Sequence, residues 1–379
     1  MTSRLTALVG LALATVTLPA AAVERPVAST AELAAAIGQA NPGDVITLRA
    51  GTYPIVAKIS VSRPGTAAAP ITVRAATPGA ALLRSTTPEP FLVRAPFWTF
   101  TGLVMEGACA SDSDCEHAFH IVAGAHHTTV QDSTLRDFNA AIKANGDLVG
   151  STRVYPSDVL IAGNRIYNRH ARNTTNPVTG IDGVGGDRWV VRGNYIADIG
   201  GVSASKVSYQ AFLKGNGSGG VIERNLVICS KRHTGGVRLG LSLGGGTTGA
   251  GLCQGGSCAT EHRNGTIRNN VVMSCNDAGI YLSKSPGSRI HGNTVYASAF
   301  GIDVRFNSTA IITMNGGGRR AHCPRTPTDA SIHSTAKMIT TASAATRECR
   351  NSAAINNPPI DSARNPIPKA TMMRHNSER

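Results

Sequence analysis

The residues of this chain whose types and spacing could do chemistry are eight cysteines, a knot of histidines and a close pair of aspartates. His117, His120, His126 and His127 fall within one short stretch. Histidine can carry protons or ligate metals near neutral pH, but scattered surface histidines are more often incidental, and no site is assigned to them. Asp182 and Asp187 are the one nearby pair of carboxylates of the kind that would be expected to face a common groove in a hydrolase of glycosidic bonds. Acidic turn residues are the commoner explanation of such a pair. Gly240-Leu241-Ser242-Leu243-Gly244 fits G-x-S-x-G, yet the strand, sharp turn and helix that expose a nucleophilic serine are missing around it. Gly244 to Gly249 lacks the Gly-Lys-Ser/Thr ending of a phosphate loop. Both motifs read as glycine-rich turns.

The cysteines point to an oxidising compartment. Arg4, the apolar run Leu5 to Leu18 and the small residues Ala20-Ala21-Ala22 have the three-part form of a secretory signal, with cleavage expected after Ala22. Export makes disulfides the expected fate of the thiols. Cys109 with Cys115 and Cys253 with Cys258 each flank a short loop, and Cys229 and Cys275 stand at equivalent places in neighbouring repeats. No C-x-x-C pair occurs, and His262 follows Cys258 without a second ligand pair, so no metal-binding residues are assigned.

Composition narrows the fold. Of 379 residues, 41 are Gly and 41 % are apolar, while aromatics reach only 4 %, so the core must be aliphatic and repetitive. No apolar window after residue 22 is long enough to span a membrane. Net charge is +14, of which +6 falls in residues 307–379. The moderately basic remainder suits a polyanionic polysaccharide. No base-stacking aromatic cluster accompanies it, and no nucleic-acid partner is expected.

What must position any site is a repeat. Asn164, Asn194, Asn225, Asn270 and Asn293 each precede a short aliphatic run, and Asp132-Ser133-Thr134-Leu135 opens the series. Strands of three to six residues surround each one, separated by Gly, Asn and Ser, with no helical period between them. Such strands cannot be stable singly, but stacked coils merge their aliphatic stripes into one core. The pattern predicts an all-β, single-stranded right-handed parallel β-helix over residues 23–306. Asparagine at the turns tolerates left-handed backbone and can bond its equivalent in the next coil, which predicts a ladder.

The ends differ. Ser29-Thr30-Ala31-Glu32 reads as a capping box, and Leu33, Ala36, Ile37 and Ala40 recur at helical spacing, predicting a short helix that covers the amino-terminal end of the solenoid. After Phe306 no aromatic residue occurs and six prolines are scattered, so 307–379 is expected to be a basic tail, disordered or aberrant.

The segments Ala31-Glu32-Leu33, Asn41-Pro42-Gly43-Asp44-Val45-Ile46-Thr47-Leu48-Arg49-Ala50-Gly51-Thr52-Tyr53 and Gly65 to Ala75 resemble the opening of chondroitinase B and related alginate lyases. The resemblance covers the first coils and implies the pectin-lyase-like solenoid. It also implies a catalytic lysine at a strand end and a catalytic arginine in the next coil, flanking the repeat asparagine. Lys214 and Arg238 match in order around Asn225, with Arg232 and Tyr209 as substrate-binding neighbours. Calcium is the cofactor the resemblance suggests, but the stretch that would hold its acidic ligands reads Lys206-Val207-Ser208-Tyr209-Gln210, without a carboxylate. Asp182 and Asp187 are the remaining carboxylates for calcium.

The reading that results is a secreted or periplasmic monomer that cleaves a uronate-containing polysaccharide by β-elimination. A cation must neutralise the uronate carboxylate while a base removes the weakly acidic proton beside it. Lys214 is the expected base and Arg238 the carboxylate partner, its fork suiting that geometry. The alternative is a non-catalytic carbohydrate-binding or surface-structural β-helix.

Overall fold

The computed structural model describes residues 22–203, 206–245, 248–317, 321–322 and 347–350. The expected signal peptide lies outside the described residues, apart from Ala22. Among them, three long sheets of 12, 10 and 10 strands run along the chain, joined in almost every case by parallel pairing. Each coil contributes one strand to each sheet in turn. Leu160–Ala162 lies in the first, Arg165–Tyr167 in the second and Thr179–Val184 in the third. The result is the right-handed parallel β-helix that the repeat predicts.

Burial explains the short strands. In Leu160–Ala162 and Val190–Arg192 the middle residue alone points inward, and Ile161 and Val191 are fully buried. Stacking puts Val130, Ile161, Val191, Ile222 and Ile267 in register through successive coils. Thr30–Gly38 is the expected helix. Ser29 caps it by accepting from the Glu32 amide, and Leu33 and Ile37 are buried beneath it.

The asparagine ladder forms. Asn164 donates its amide to Asn194 Oδ1 at 3.0 Å, and the same bond links Asn194 to Asn225, Asn225 to Asn270 and Asn270 to Asn293. Two details differ from the sequence reading. The left-handed backbone belongs to the residue before each rung, as at Gly163 (φ 66°), Gly193 (φ 64°) and Arg224 (φ 55°). The opening rung is Ser133, not Asp132: its amide donates to Asn164 Oδ1 and its hydroxyl accepts from Leu103.

The boundary at Phe306 falls one coil short. Thr309–Thr313 pairs in parallel with Ser288–His291, and Asn293 donates to Asn315 Oδ1, extending the ladder by a rung. Ala321–His322 joins the third sheet, and Arg347–Arg350 pairs antiparallel with Thr309–Thr313. The other residues of the expected tail lie outside the described ones. The three expected disulfides, Cys109–Cys115, Cys229–Cys275 and Cys253–Cys258, are all present.

Candidate active site

The outer face of the third sheet runs between two banks of longer turns. One bank is made by the turns from the second sheet to the third, including the Cys109–Cys115 loop and residues 168–178. The other is made by the hairpin Asp147–Val149 with Thr152–Val154 and by the loop closed by Cys253–Cys258. These two are tied together, because the Tyr155 hydroxyl donates to the Leu252 carbonyl at 3.1 Å. Gly185 is needed under that contact: its φ is +75°, and a Cβ there would lie 2.1 Å from the Tyr155 ring.

Register sets the floor. His120, Lys143, Asp182, Phe212, Ser242, Tyr281 and Asp303 form one outward row, a residue per coil. Lys143 Nζ lies 2.5 Å from Asp182 Oδ2. Lys214, two residues beyond Phe212 on the same strand, shares that face, and its Nζ lies 4.5 Å from the centre of the Phe212 ring. Tyr209 stacks on the other side of Phe212 with ring centroids 4.3 Å apart. Its hydroxyl is approached by Gly245, where a Cβ would come within 2.9 Å.

The electrostatics follow from burial. Burial alone would raise the Asp182 carboxyl, but Lys143 and then Lys214 outweigh it and hold the group below its ordinary value. The Lys214 ammonium is pushed below the ordinary lysine value, first by burial and then by Lys143, with Asp182 opposing. Burial also pushes the Tyr281 phenol up to about 12, which keeps its proton in place.

The structure does not bring Lys214 and Arg238 together. Arg238 pairs in register with Ser208, six residues before Lys214, at the far end of the strand. Its side chain is fully buried. The guanidinium donates to the carbonyls of Gly235, Cys229 and His233 at 2.7 to 2.9 Å, pinning the turn that carries the Cys229–Cys275 disulfide. The sequence order that suggested the pair fails because Arg238 opens its strand while Lys214 closes its own. Arg232 is also elsewhere. It is exposed, with its guanidinium 5.0 Å from the Tyr167 ring of the second sheet. Tyr209 is thus the one expected neighbour that shares a face with Lys214.

Sequence reasoning missed Lys143. A lysine following Ala140-Ala141-Ile142 in a strand of alternating burial was the available signal, since alternation turns it toward the groove. The aspartate pair also has other work. Asp182 is ion-paired to Lys143, and Asp187 accepts from the amide and hydroxyl of Ser218. Asp187 also accepts from Gln254.

Residues 118–316 match the family model described as right handed beta helix region, more than half of the chain. The chain belongs to the right-handed β-helix family. Residues 27–153 of this β-helix protein also match the chondroitinase B model. Among solved structures it is similar to an alginate lyase from Paenibacillus sp. str. FPU-7. Identity is 19 % and TM-score 0.54, over 78 % of this chain and 95 % of that one. It is also similar to pectate lyase Pel9A, at 16 % identity and TM-score 0.52, over 79 % of each chain. At these identities the likeness is one of fold. No curated protein matches the sequence.

Calcium, which the chondroitinase B resemblance suggests, does not fit the residues before Lys214 in this β-helix. Gln210 is turned inward, where its amide bonds the backbone of Ile199 at both ends. Ser208 is buried and carries no charge. No step is derived through that ion.

Proposed function

We propose that this β-helix is a secreted polysaccharide lyase that cleaves a uronate-containing chain lying in the groove of the third sheet. The observation that carries the reading is the arrangement of Lys143 and Lys214 around Asp182, with burial easing the loss of the Lys214 proton. Neutral Lys214 takes the proton from the carbon beside the uronate carboxylate. The electron pair left behind forms the new carbon–carbon double bond, and the bond to the departing glycosidic oxygen breaks. That oxygen leaves with a proton returned from the Lys214 ammonium, so charge and atoms balance. Lys143 has three donors and gives one to Asp182, which leaves two for the substrate carboxylate. Its positive charge offsets the charge that builds up on that carboxylate as the proton leaves.

Support for the substrate class comes from the basic charge of the body and from the match to the chondroitinase B model. The test is to incubate the mature protein with alginate, chondroitin, dermatan and pectate and to follow the ultraviolet absorbance of the unsaturated uronate. Signal on one polymer that is lost in Lys214→Ala supports the assignment; signal that survives the substitution removes Lys214 as the base.

One observation favours the second reading, a non-catalytic glycan-binding β-helix. The arginine expected beside the base is folded into a turn. Binding of one of these polymers without any absorbance change would select that reading.

A further inference from the structure

At the amino-terminal side of the groove, Glu89, His117 and His120 each offer a ligand atom, and the three atoms lie within 4.8 Å of one another. Glu89 precedes the strand Phe91–Val93, and the two histidines bracket the start of Phe119–Val122 one coil later. Parallel pairing of Phe91 with Phe119 stacks the two turns. All three side chains are half-buried. We propose that they bind a borderline transition-metal dication of the zinc class.

The surrounding hydrogen bonds choose the free nitrogens. His117 Nδ1 lies 3.2 Å from the Ala140 carbonyl, which can only accept, so Nδ1 carries the proton and Nε2 keeps its lone pair. His120 Nε2 lies 2.8 Å from Asn145 Oδ1. The Asn145 amide is oriented by its own donation to the Gly146 carbonyl, so Oδ1 accepts and His120 Nε2 is the protonated nitrogen. His120 Nδ1 then faces Glu89 Oε1 at 2.9 Å. A proton bridges these two atoms in the ion pair, and a metal dication held by both would take that proton's place. The other oxygen of Glu89 is steadied by Lys58 Nζ at 3.3 Å. Ligand histidines whose second nitrogen is held by a carbonyl or amide oxygen, with an anchored carboxylate, are the outer arrangement that fixes a metal site.

Two imidazoles and one carboxylate leave a fourth position open, as in catalytic zinc sites. Nitrogen donors select zinc, cobalt or nickel over calcium and magnesium, which take oxygen. The three residues adjoin the floor row, since His120 is in register with Lys143. This proposal stands on Glu89, His117 and His120 and does not rest on the lyase reading.

The test is calorimetric titration of ZnCl2 into the full mature chain after chelator treatment, with CaCl2 titrated in parallel. About one equivalent of zinc should bind through these residues. His117→Ala and His120→Ala should each weaken it at least tenfold, and Glu89→Gln about tenfold. His126→Gln should leave it unchanged. Zinc held by His322 or by cysteines of the tail would survive the double substitution of His117 and His120, and survival at unchanged affinity overturns the proposal. So does equal binding of CaCl2. Wild-type protein with CoCl2 provides a reading independent of any variant's folding. Strong visible bands of four-coordinate cobalt are expected, and a spectrum of the free hydrated ion overturns the site.

Discussion

Lys143 reaches across one coil to Asp182, Nζ to Oδ2 at 2.5 Å, while Asp182 is 5 % exposed and its charge also acts on Lys214. One carboxylate therefore holds two cations on the same stretch of groove floor. Asp182→Asn should cost about 2 kcal/mol of stability, because Lys143 loses its partner but remains partly hydrated. It should also move the rising limb of the pH–activity profile to lower pH, since the charge that favours protonated Lys214 is gone. Chemical denaturation and a pH–rate series check the two effects separately.

Lys214→Ala and Arg238→Met should part company. The first should lower turnover roughly a thousandfold with a melting temperature close to that of the parent. The second should destabilise the protein, since three carbonyls lose their donor, yet leave the turnover of the folded fraction within about twofold. Steady-state kinetics beside thermal melts decides it; equal kinetic losses in both would restore Arg238 to the chemistry.

His262 is 2 % exposed, and its Nε2 accepts from the Gly220 amide at 3.1 Å. Burial pushes its pKa from the ordinary 6.5 down to about 4. Between those values the unfolded chain binds a proton that the folded chain does not. Stability from this group is therefore complete above 6.5 and is lost as pH falls toward 4. The loss should be on the order of 3 kcal/mol. Denaturation midpoints measured across that window should fall, and less so in His262→Gln.

Asn225 sits mid-ladder, taking the amide of Asn194 and giving its own to Asn270 and to the Val191 carbonyl. Asn225→Ala strands several buried groups and should cost about 3 kcal/mol. An equal loss in Asn225→Asp, which keeps the acceptor, would mean that the donor half of the rung dominates.

The Cys229–Cys275 bridge spans 46 residues of sequence. Replacing both cysteines by serine should cost about 3 to 4 kcal/mol. Reduction, which also opens Cys109–Cys115 and Cys253–Cys258, should lower the melting temperature of the parent by more than that of the variant.

The fold was legible because its signals are local and repeated. One inward aliphatic residue per short strand and one asparagine per turn identify a coil without any long-range information, and a capping box identifies the terminal helix. The cysteine pairs were legible for the same reason. The site was not, because it depends on register. Lys214 and Arg238 have suitable spacing along the chain, but sequence does not show that one closes its strand while the other opens its own. Lys143, two coils before Lys214, is joined to it only by the stacking through Asp182. The final coil was missed because Asn315 follows Met314 and precedes glycines rather than aliphatic residues, so its turn resembles none of the others.

The ladder has a direction. Each rung's amide hydrogens are received by the oxygen of the coil that follows it in the chain, from Ser133 onward to Asn315. A ribosome delivers the amino-terminal end first, so every newly made winding waits with open donors until its successor arrives. Shortening the protein from its carboxyl end would strip the last remaining rung of the oxygen that receives both its amides, whereas shortening from the other end would take from the first surviving rung only the preceding coil's carbonyl.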